Sequence, residues 1–338
     1  MSTRARVLWF AVIVVALVVG AGVYGVVEGR EVRAQRAAEP EAPAAPVAEV
    51  TDGPRIVFRH TGLDNEYGTV AIVSADDPGG ARAFTGVTCD RVAARAEGAS
   101  CLVTDPSLAA SYEVRELDAQ WQPVATNALP GLPSRTRLSP DGSLVATTVF
   151  VTGHSYMSTG FSTATEVHEF GGGTRWGNLE KFQLVLDGTE ADPVDRNIWG
   201  VTFVDDDTFY ATVGTGGRTY LVQGSLGSRT LTSVSRDAEC PALSPDGSRV
   251  AFKVDVDPGR RIVWQIAVQD LASGERTLLE EGPSGLDDQV EWLDDDTLLY
   301  GMPRADEPGV SDVWSVDTSA DAAPSLLIEQ AWSPTVVR

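Results

Sequence analysis

Ser155, within GHSYM at 153–157, is the closest approach in this chain to a hydrolase nucleophile. A serine becomes one where a strained strand-to-helix elbow, G-x-S-x-G, exposes its hydroxyl beside a base. Met157 stands where the second glycine is required and no helical pattern follows, so Ser155 reads as a loop serine. His60, His154 and His168 have neither the close Cys/His spacing of zinc sites nor an H-E-x-x-H helix, and no metal is expected. The acidic triplets at 205–207 and 294–296 offer calcium-type oxygens without EF-hand spacing. GGRTYL at 216–221 and FGGGTRW at 170–176 lack the glycine order and following helix that cradle phosphate, so no cofactor is expected.

Three polar and aromatic stretches remain: 152–156, DRNIWG at 195–200 and GGRTY at 216–220. Loops on a rigid scaffold carry function, and Arg, Tyr and Trp anchor interfaces. The candidate binding residues are therefore His154, Tyr156, Arg196, Asn197, Trp199, Arg218 and Tyr220, with no catalytic residue among them. The competing reading makes Trp199 and Tyr220 core, and pairs Arg196 and Arg218 with nearby carboxylates.

What must position these residues is a repeat. LSPDGSLVA at 138–146 returns as LSPDGSRVA at 243–251. Pro140 presets φ, Asp141 bonds its own backbone and Gly142 tolerates positive φ, so the phrase is a hairpin tip. LVATTVFV and RVAFKVDV follow it as strands. FVDDDTFYATV at 203–213 and WLDDDTLLYGM at 292–302 keep strand, acidic tip and strand, which assigns the acidic triplets to solvated turns. The anchors Leu138, Phe203, Leu243 and Trp292 are spaced 65, 40 and 49 apart. Periods of about 40–50 residues with four strands each mark propeller blades. With two upstream units, CDRVAARAEGASCLV and RIVFRHTG…YGTVAIVSA, the expectation is an all-β fold: one propeller of six four-stranded blades over 53–338. One blade is enlarged, its extra length expected in GHSYMSTGFSTATEVHEFGGG. SPTVV near the C-terminus is expected to add a strand to the blade begun by RIVFRHTG, closing the ring.

The N-terminus is of another kind. After a short segment at 1–6, residues 7–27 hold no charge over 21 positions, long enough for a transmembrane helix. They read as a signal anchor, with the core of a cleaved signal peptide as the alternative and secretion as its consequence. Residues 28–52 are an Ala/Pro/Glu-rich linker, expected to be disordered and extended. Charges on the two sides of the span do not decide orientation. Cys89 and Cys101 flank a hairpin centred near Ala96, nearly opposite on adjacent strands; bonded, they imply an oxidising compartment, and two reduced buried cysteines are the alternative. Cys240 has no partner. The formal charge is −22, all of it in residues 51–338, because residues 1–50 hold five Arg and five Glu. Such a body repels nucleic acid and anionic lipid headgroups.

LSPDGSLVA and LSPDGSRVA resemble the repeat of TolB-like propellers, also found in the propeller of prolyl oligopeptidases. Together with YGTVAIVSADDPGG, the Cys89/Cys101 hairpin, GLPSRTRLSPDG, GHSY…GFST, WGVTF, GGRTYLV and ECPALSPDGSRVAFK, the chain is similar to TolB-like translocation proteins of high-GC Gram-positive bacteria, a group without an established activity. The resemblance implies the fold over 53–338. TolB carries an α/β domain before its propeller where this sequence offers a span and a stalk, and no peptidase domain is expected. The glycosidase turn S-x-D-x-G-x-T-W does not fit, since Gly142 and Gly247 follow their aspartates immediately.

The expected function is a non-catalytic binding or scaffold module, membrane-anchored with the propeller outside the cytoplasm, for a cell-envelope protein or other envelope component. The alternative is a hydrolase or lyase on an envelope polymer, using carboxylates in the central channel. A third reading is the extracellular module of a sensor complex.

Overall fold

The computed structural model describes residues 9–10, 12–15, 17–25, 27, 30, 43–105, 107, 110–151, 162–257, 263–279, 289–319 and 321–338. Alternation and turn chemistry produce 26 strands among the described residues, arranged as six sheets around one axis and antiparallel except for one pairing. The first blade has β1 (Arg55–His60), β2 (Thr69–Ser74) and β3 (Ala83–Thr88); the second has β4 (Arg91–Ala94), β5 (Gly98–Asp105), β6 (Ser111–Asp118) and β7 (Pro123–Ala128). The third has β8 (Leu132–Leu138), β9 (Leu144–Val151), β10 (Ser162–Glu169) and β11 (Arg175–Asn178). After the hairpin β12 (Gln183–Leu186) and β13 (Thr189–Ala191), the fourth has β14 (Asn197–Phe203), β15 (Thr208–Thr215), β16 (Arg218–Ser225) and β17 (Thr230–Arg236). The fifth has β18 (Glu239–Leu243), β19 (Arg249–Asp255), β20 (Trp264–Asp270) and β21 (Arg276–Leu278); the sixth has β22 (Glu291–Trp292), β23 (Thr297–Pro303), β24 (Ser311–Asp317) and β25 (Ser325–Ile328).

The last strand, β26 (Ala331–Val337), pairs antiparallel with β1, with Arg55 opposite Val337 and His60 opposite Ala331. It supplies the inner strand of the first blade, as SPTVV foreshadows. The six inner strands β26, β4, β8, β14, β18 and β22 each contact the next around a closed ring. Inner and middle strands are buried on both faces, because each blade packs against two neighbours: β9 is buried over its first six residues. Outer strands such as β7 are largely exposed.

Polar groups also cross between blades. His168 Nε2 lies 2.8 Å from Glu116 Oε1, joining β10 to β6, and Ser100 Oγ lies 2.6 Å from Thr136 Oγ1, joining β5 to β8. Trp292 Nε1 donates to Ala242 O at 2.9 Å, joining the sixth blade to the fifth. A buried polar group needs such a partner, so each contact also fixes how neighbouring blades sit.

The repeated phrase folds as its residues require. Ser139 Oγ donates to Asp141 Oδ1 at 2.6 Å, Ser143 N donates to the same oxygen at 3.0 Å, and Gly142 has φ 75°. Ser244, Asp246, Ser248 and Gly247 repeat this network. In the two degenerate copies the first aspartate caps the turn: Asp205 Oδ1 accepts from Asp207 N and Thr208 N, and Asp294 Oδ1 from Asp296 N and Thr297 N.

Three expectations change. The extra length of the enlarged unit lies at 179–196, where β12 pairs in parallel with β17 and extends the fourth sheet to six strands. Residues 162–169 of the stretch expected to hold it form the regular strand β10, and residues 153–161 of that stretch lie outside the described residues. The disulfide Cys89–Cys101 is present, with Cα atoms 5.4 Å apart, but Cys101 faces Val92 across the hairpin. Cys89 precedes β4, so the bond ties the connector between the first two blades to β5.

The described end of the linker, residues 43–52, does not stay clear of the body. Ala45 N donates to Arg82 O and Arg82 N to Pro43 O, both at 2.9 Å, while a helical turn at Val47–Val50 buries Val50 against the first two blades. Residues 7, 8, 11, 16 and 26 of the span expected at 7–27 lie outside the described residues; the described residues between 9 and 30 are helical and exposed, and among the described residues no helix is long and apolar enough to cross a membrane.

Candidate functional site

Inner strands run in one direction around the axis, so their ends define two faces. The face at their C-terminal ends carries the SPDG and DDDT tips. The other carries the second hairpin of each blade and the connectors between blades.

On this second face a cleft of about 640 Å³ opens between the third and fourth blades. Its walls come from Val151, Ser162, Ala164 and Glu166 on the third blade, and from Asn178, Glu180, Lys181 and the run 192–197. The second group belongs almost entirely to the insertion. A repeat cannot supply such a wall, because every other blade connector is shorter among the described residues. Lys181 is exposed and makes no ion pair among the described residues, and Val194 is 80% exposed.

The loop 192–197 is held from both sides. Asp195 accepts from Thr215 Oγ1 at 2.6 Å and from Gly216 N at 2.8 Å, and these bonds hold its carboxyl below the usual range. Arg196 pairs with Asp192 and donates to Pro193 O and Phe182 O, both at 3.3 Å. Asn197 Oδ1 accepts from Thr163 N at 2.9 Å. Arg196 and Asn197 thus form the cleft wall by bracing it. Arg218 is exposed at the tip of the β15–β16 hairpin. Trp199 and Tyr220 are buried in the fourth blade, Trp199 against Gly214 and Tyr220 in a cluster with Val213 and Val222. Their strands are buried on both sides, which the aromatic side chains alone do not reveal. His154 and Tyr156 lie outside the described residues, which resume on either side of them at Val151 and Ser162 in the cleft wall. Lys181, Glu180 and Val194 were not singled out by sequence; the break in blade spacing was the available signal.

The channel differs. Arg137 on β8 pairs with Glu291 on β22, and its second nitrogen donates to Val290 O at 2.7 Å. These are the third and sixth blades, opposite members of the ring, so the pair bridges the axis. Both residues are buried. Glu291 is thereby committed to a guanidinium, and Asp246 at the rim is held by Ser244 and Ser248, whose hydrogen bonds lower it to about 2. Glycoside chemistry needs a free pair with one member protonated near neutrality. Neither of these two carboxylates meets that need.

Outside the channel, Asp206 is raised by the adjacent charge of Asp141. Burial also raises Asp141, but hydrogen bonds from Ser139 and Ser143 outweigh it and hold Asp141 low. Asp206 is fully exposed at a hairpin tip, where water competes for its charge.

The described histidines are enclosed. His60 Nε2 lies 3.0 Å from Asp64 Oδ2 and its Nδ1 accepts from Arg82 at 2.9 Å, occupying both ring nitrogens. Burial lowers its pKa.

No protein-family model and no curated protein matches the chain. Among solved structures, TolB from Acinetobacter baumannii is similar over 84% of this chain and 67% of its own, at 16% identity and TM-score 0.58. A puromycin-hydrolysing peptidase from Mycobacterium tuberculosis is similar at 15% identity and TM-score 0.48; this likeness covers 83% of the present chain but 44% of the peptidase. An oligogalacturonate lyase in complex with manganese gives 9% identity and TM-score 0.48 over 73% of this chain and 70% of the lyase. Identities this low establish architecture alone. With its six closed blades and its SPDG tips, the chain has the fold of a TolB-like six-bladed β-propeller.

Proposed function

We propose that the protein is a non-catalytic binding module that holds a cell-envelope protein or other envelope component in the cleft between the third and fourth blades. One observation carries this reading: the largest departure from the repeat among the described residues, 179–196, builds one wall of the cleft. A scaffold element that adds nothing to ring closure yet shapes a concavity with polar groups and an exposed apolar residue is suited to recognition.

The envelope setting is part of the same proposal. The apolar run at 7–27 would anchor the chain, and the Cys89–Cys101 bond suits an oxidising compartment outside the cytoplasm. No nucleic acid is proposed as partner for a body of this charge.

The test is affinity capture after cross-linking in the native envelope, with the full chain as bait and Lys181→Glu/Val194→Asp as control. Both positions are exposed, so the control should melt with the parent. A specific partner captured by the parent and lost in the control supports the module. Equal capture by both baits, or none, overturns it.

A further inference from the structure

The two copies of the repeated phrase differ at one position, Leu144 in LSPDGSLVA and Arg249 in LSPDGSRVA. Each residue opens the second strand of its blade and faces an acidic residue on the third, Leu144 opposite Glu169 and Arg249 opposite Asp270. Each phrase also touches the acidic tip of the next blade: Ser143 Oγ donates to Asp206 Oδ1 at 3.4 Å, and Asp246 N to Asp295 Oδ1 at 3.0 Å. FVDDDT and WLDDDT put Asp206 and Asp295 at the same point of that tip.

In the second copy a guanidinium fills the junction. Arg249 donates to Asp295 O and to Asp296 Oδ1 at 3.1 Å, its other nitrogen donates to Thr318 Oγ1 at 3.3 Å, and it lies over the Trp292 ring at 5.4 Å. After the hydrogen bonds from Ser244, Ser273 and Ser319, its charge helps to hold Asp246, Asp270 and Asp317 low.

The first copy has the acidic groups without the cation. Beside Leu144 a shallow pocket of about 650 Å³ is lined by Glu97, Asp141, Glu169 and Asp206, with Phe170 and Trp176 as half-buried walls, and by no basic side chain. None of the four carboxylates has an ion-pair partner among the described residues. Arg95, whose charge reaches Glu97, donates to Ala94 O at 3.0 Å and Val336 O at 3.5 Å. Asp206 is set against Asp141, whose charge raises it. No three of these carboxylates converge closely enough to hold a metal ion. The second copy thus shows which group satisfies this junction, and the first copy lacks that group in its own sequence.

We propose that the pocket binds a guanidinium carried on an apolar stem, the arginine side chain of a polypeptide partner, with the guanidinium between Glu169 and Asp206 and the stem against Phe170 and Trp176. Asp207 does not repeat the role of Asp296, because Ser225 Oγ and Gly227 N hold it; Thr174 N takes only Oε2 of Glu169. A planar guanidinium spans separated acceptors and lies on aromatic faces, which a compact ammonium does less well. The site is on the face away from the cleft and does not depend on that proposal.

The experiment is titration of the full chain with N-acetylargininamide, and with N-acetylcitrullinamide as its uncharged match, followed through the indole N–H signals in two-dimensional NMR, with Trp176→Phe identifying the reporter. Saturable movement of the Trp176 signal is expected with the arginine probe alone. Asp206→Asn, at an exposed tip, should weaken binding about threefold or more. Leu144→Arg, which supplies the cation from within the chain, should abolish it. Leu144 is buried, so Glu169→Gln, with the same weakening expected as for Asp206→Asn, takes its place should that variant not fold. No saturable shift, an equal response to the citrulline probe, or unchanged affinity in any folded variant overturns the proposal.

Discussion

Arg137 and Glu291 are 154 residues apart in sequence and meet across the axis of the ring, joining two blades that share no edge. Every other blade contact described above is between neighbours. This pair resists a different deformation: opening or flattening of the whole ring.

Removing one partner should therefore be costly. Glu291→Gln leaves a buried guanidinium without its anion and is expected to lower stability by about 3–5 kcal/mol, whereas Arg137→Met/Glu291→Met should cost far less. Denaturant unfolding of both variants checks this, and a double variant as unstable as the single would refute it.

The disulfide closes a short loop, with Cys89 and Cys101 separated by 12 positions. A loop of this size constrains the unfolded chain by about 3 kcal/mol. Cys89→Ala/Cys101→Ala should fold with the same circular dichroism and melt lower by that amount, and reductant should lower the melting temperature of the parent only.

Ring closure depends on the end of the chain. Deleting residues 332–338 removes most of β26, exposing the edges of β1 and of the neighbouring inner strands. The loss of buried Thr335, Val336 and Val337 alone approaches the about 5–15 kcal/mol that stabilises a domain. The truncated chain is expected to show no cooperative melting; a transition at the parent temperature would exclude closure by β26.

Acid should act through the SPDG tips. Hydrogen bonds from Ser244 and then Ser248 lower Asp246 from 3.8 to about 2 in the folded state. Its folded value lies below its unfolded value, so its contribution is complete above about pH 5 and is lost as pH falls from about 4 toward 2. Asp246→Asn should destabilise the protein at neutral pH, and the difference from the parent should shrink below pH 4. A difference independent of pH would assign the effect to shape alone.

The sequence by itself determined the repeat and therefore the architecture. Pro, Asp and Gly at a hairpin tip act through local backbone preferences, so LSPDG reads as a turn wherever it occurs, and its spacing counts blades. Closure by SPTVV was legible for the same reason: a propeller leaves one inner strand to be supplied. What the tertiary structure alone decided depends on which distant groups converge. Trp199 and Tyr220 carry the side chains of an interface, but strands buried on both faces place them in the core. The insertion showed only as a gap of 65 positions; its pairing with β17 located it at 179–196 and made it a wall of the cleft. Arg137 and Glu291 stand at unremarkable positions in their strands. Only the closing of six blades around one axis brings their charges together, because a ring converts residues remote in sequence into neighbours across its centre.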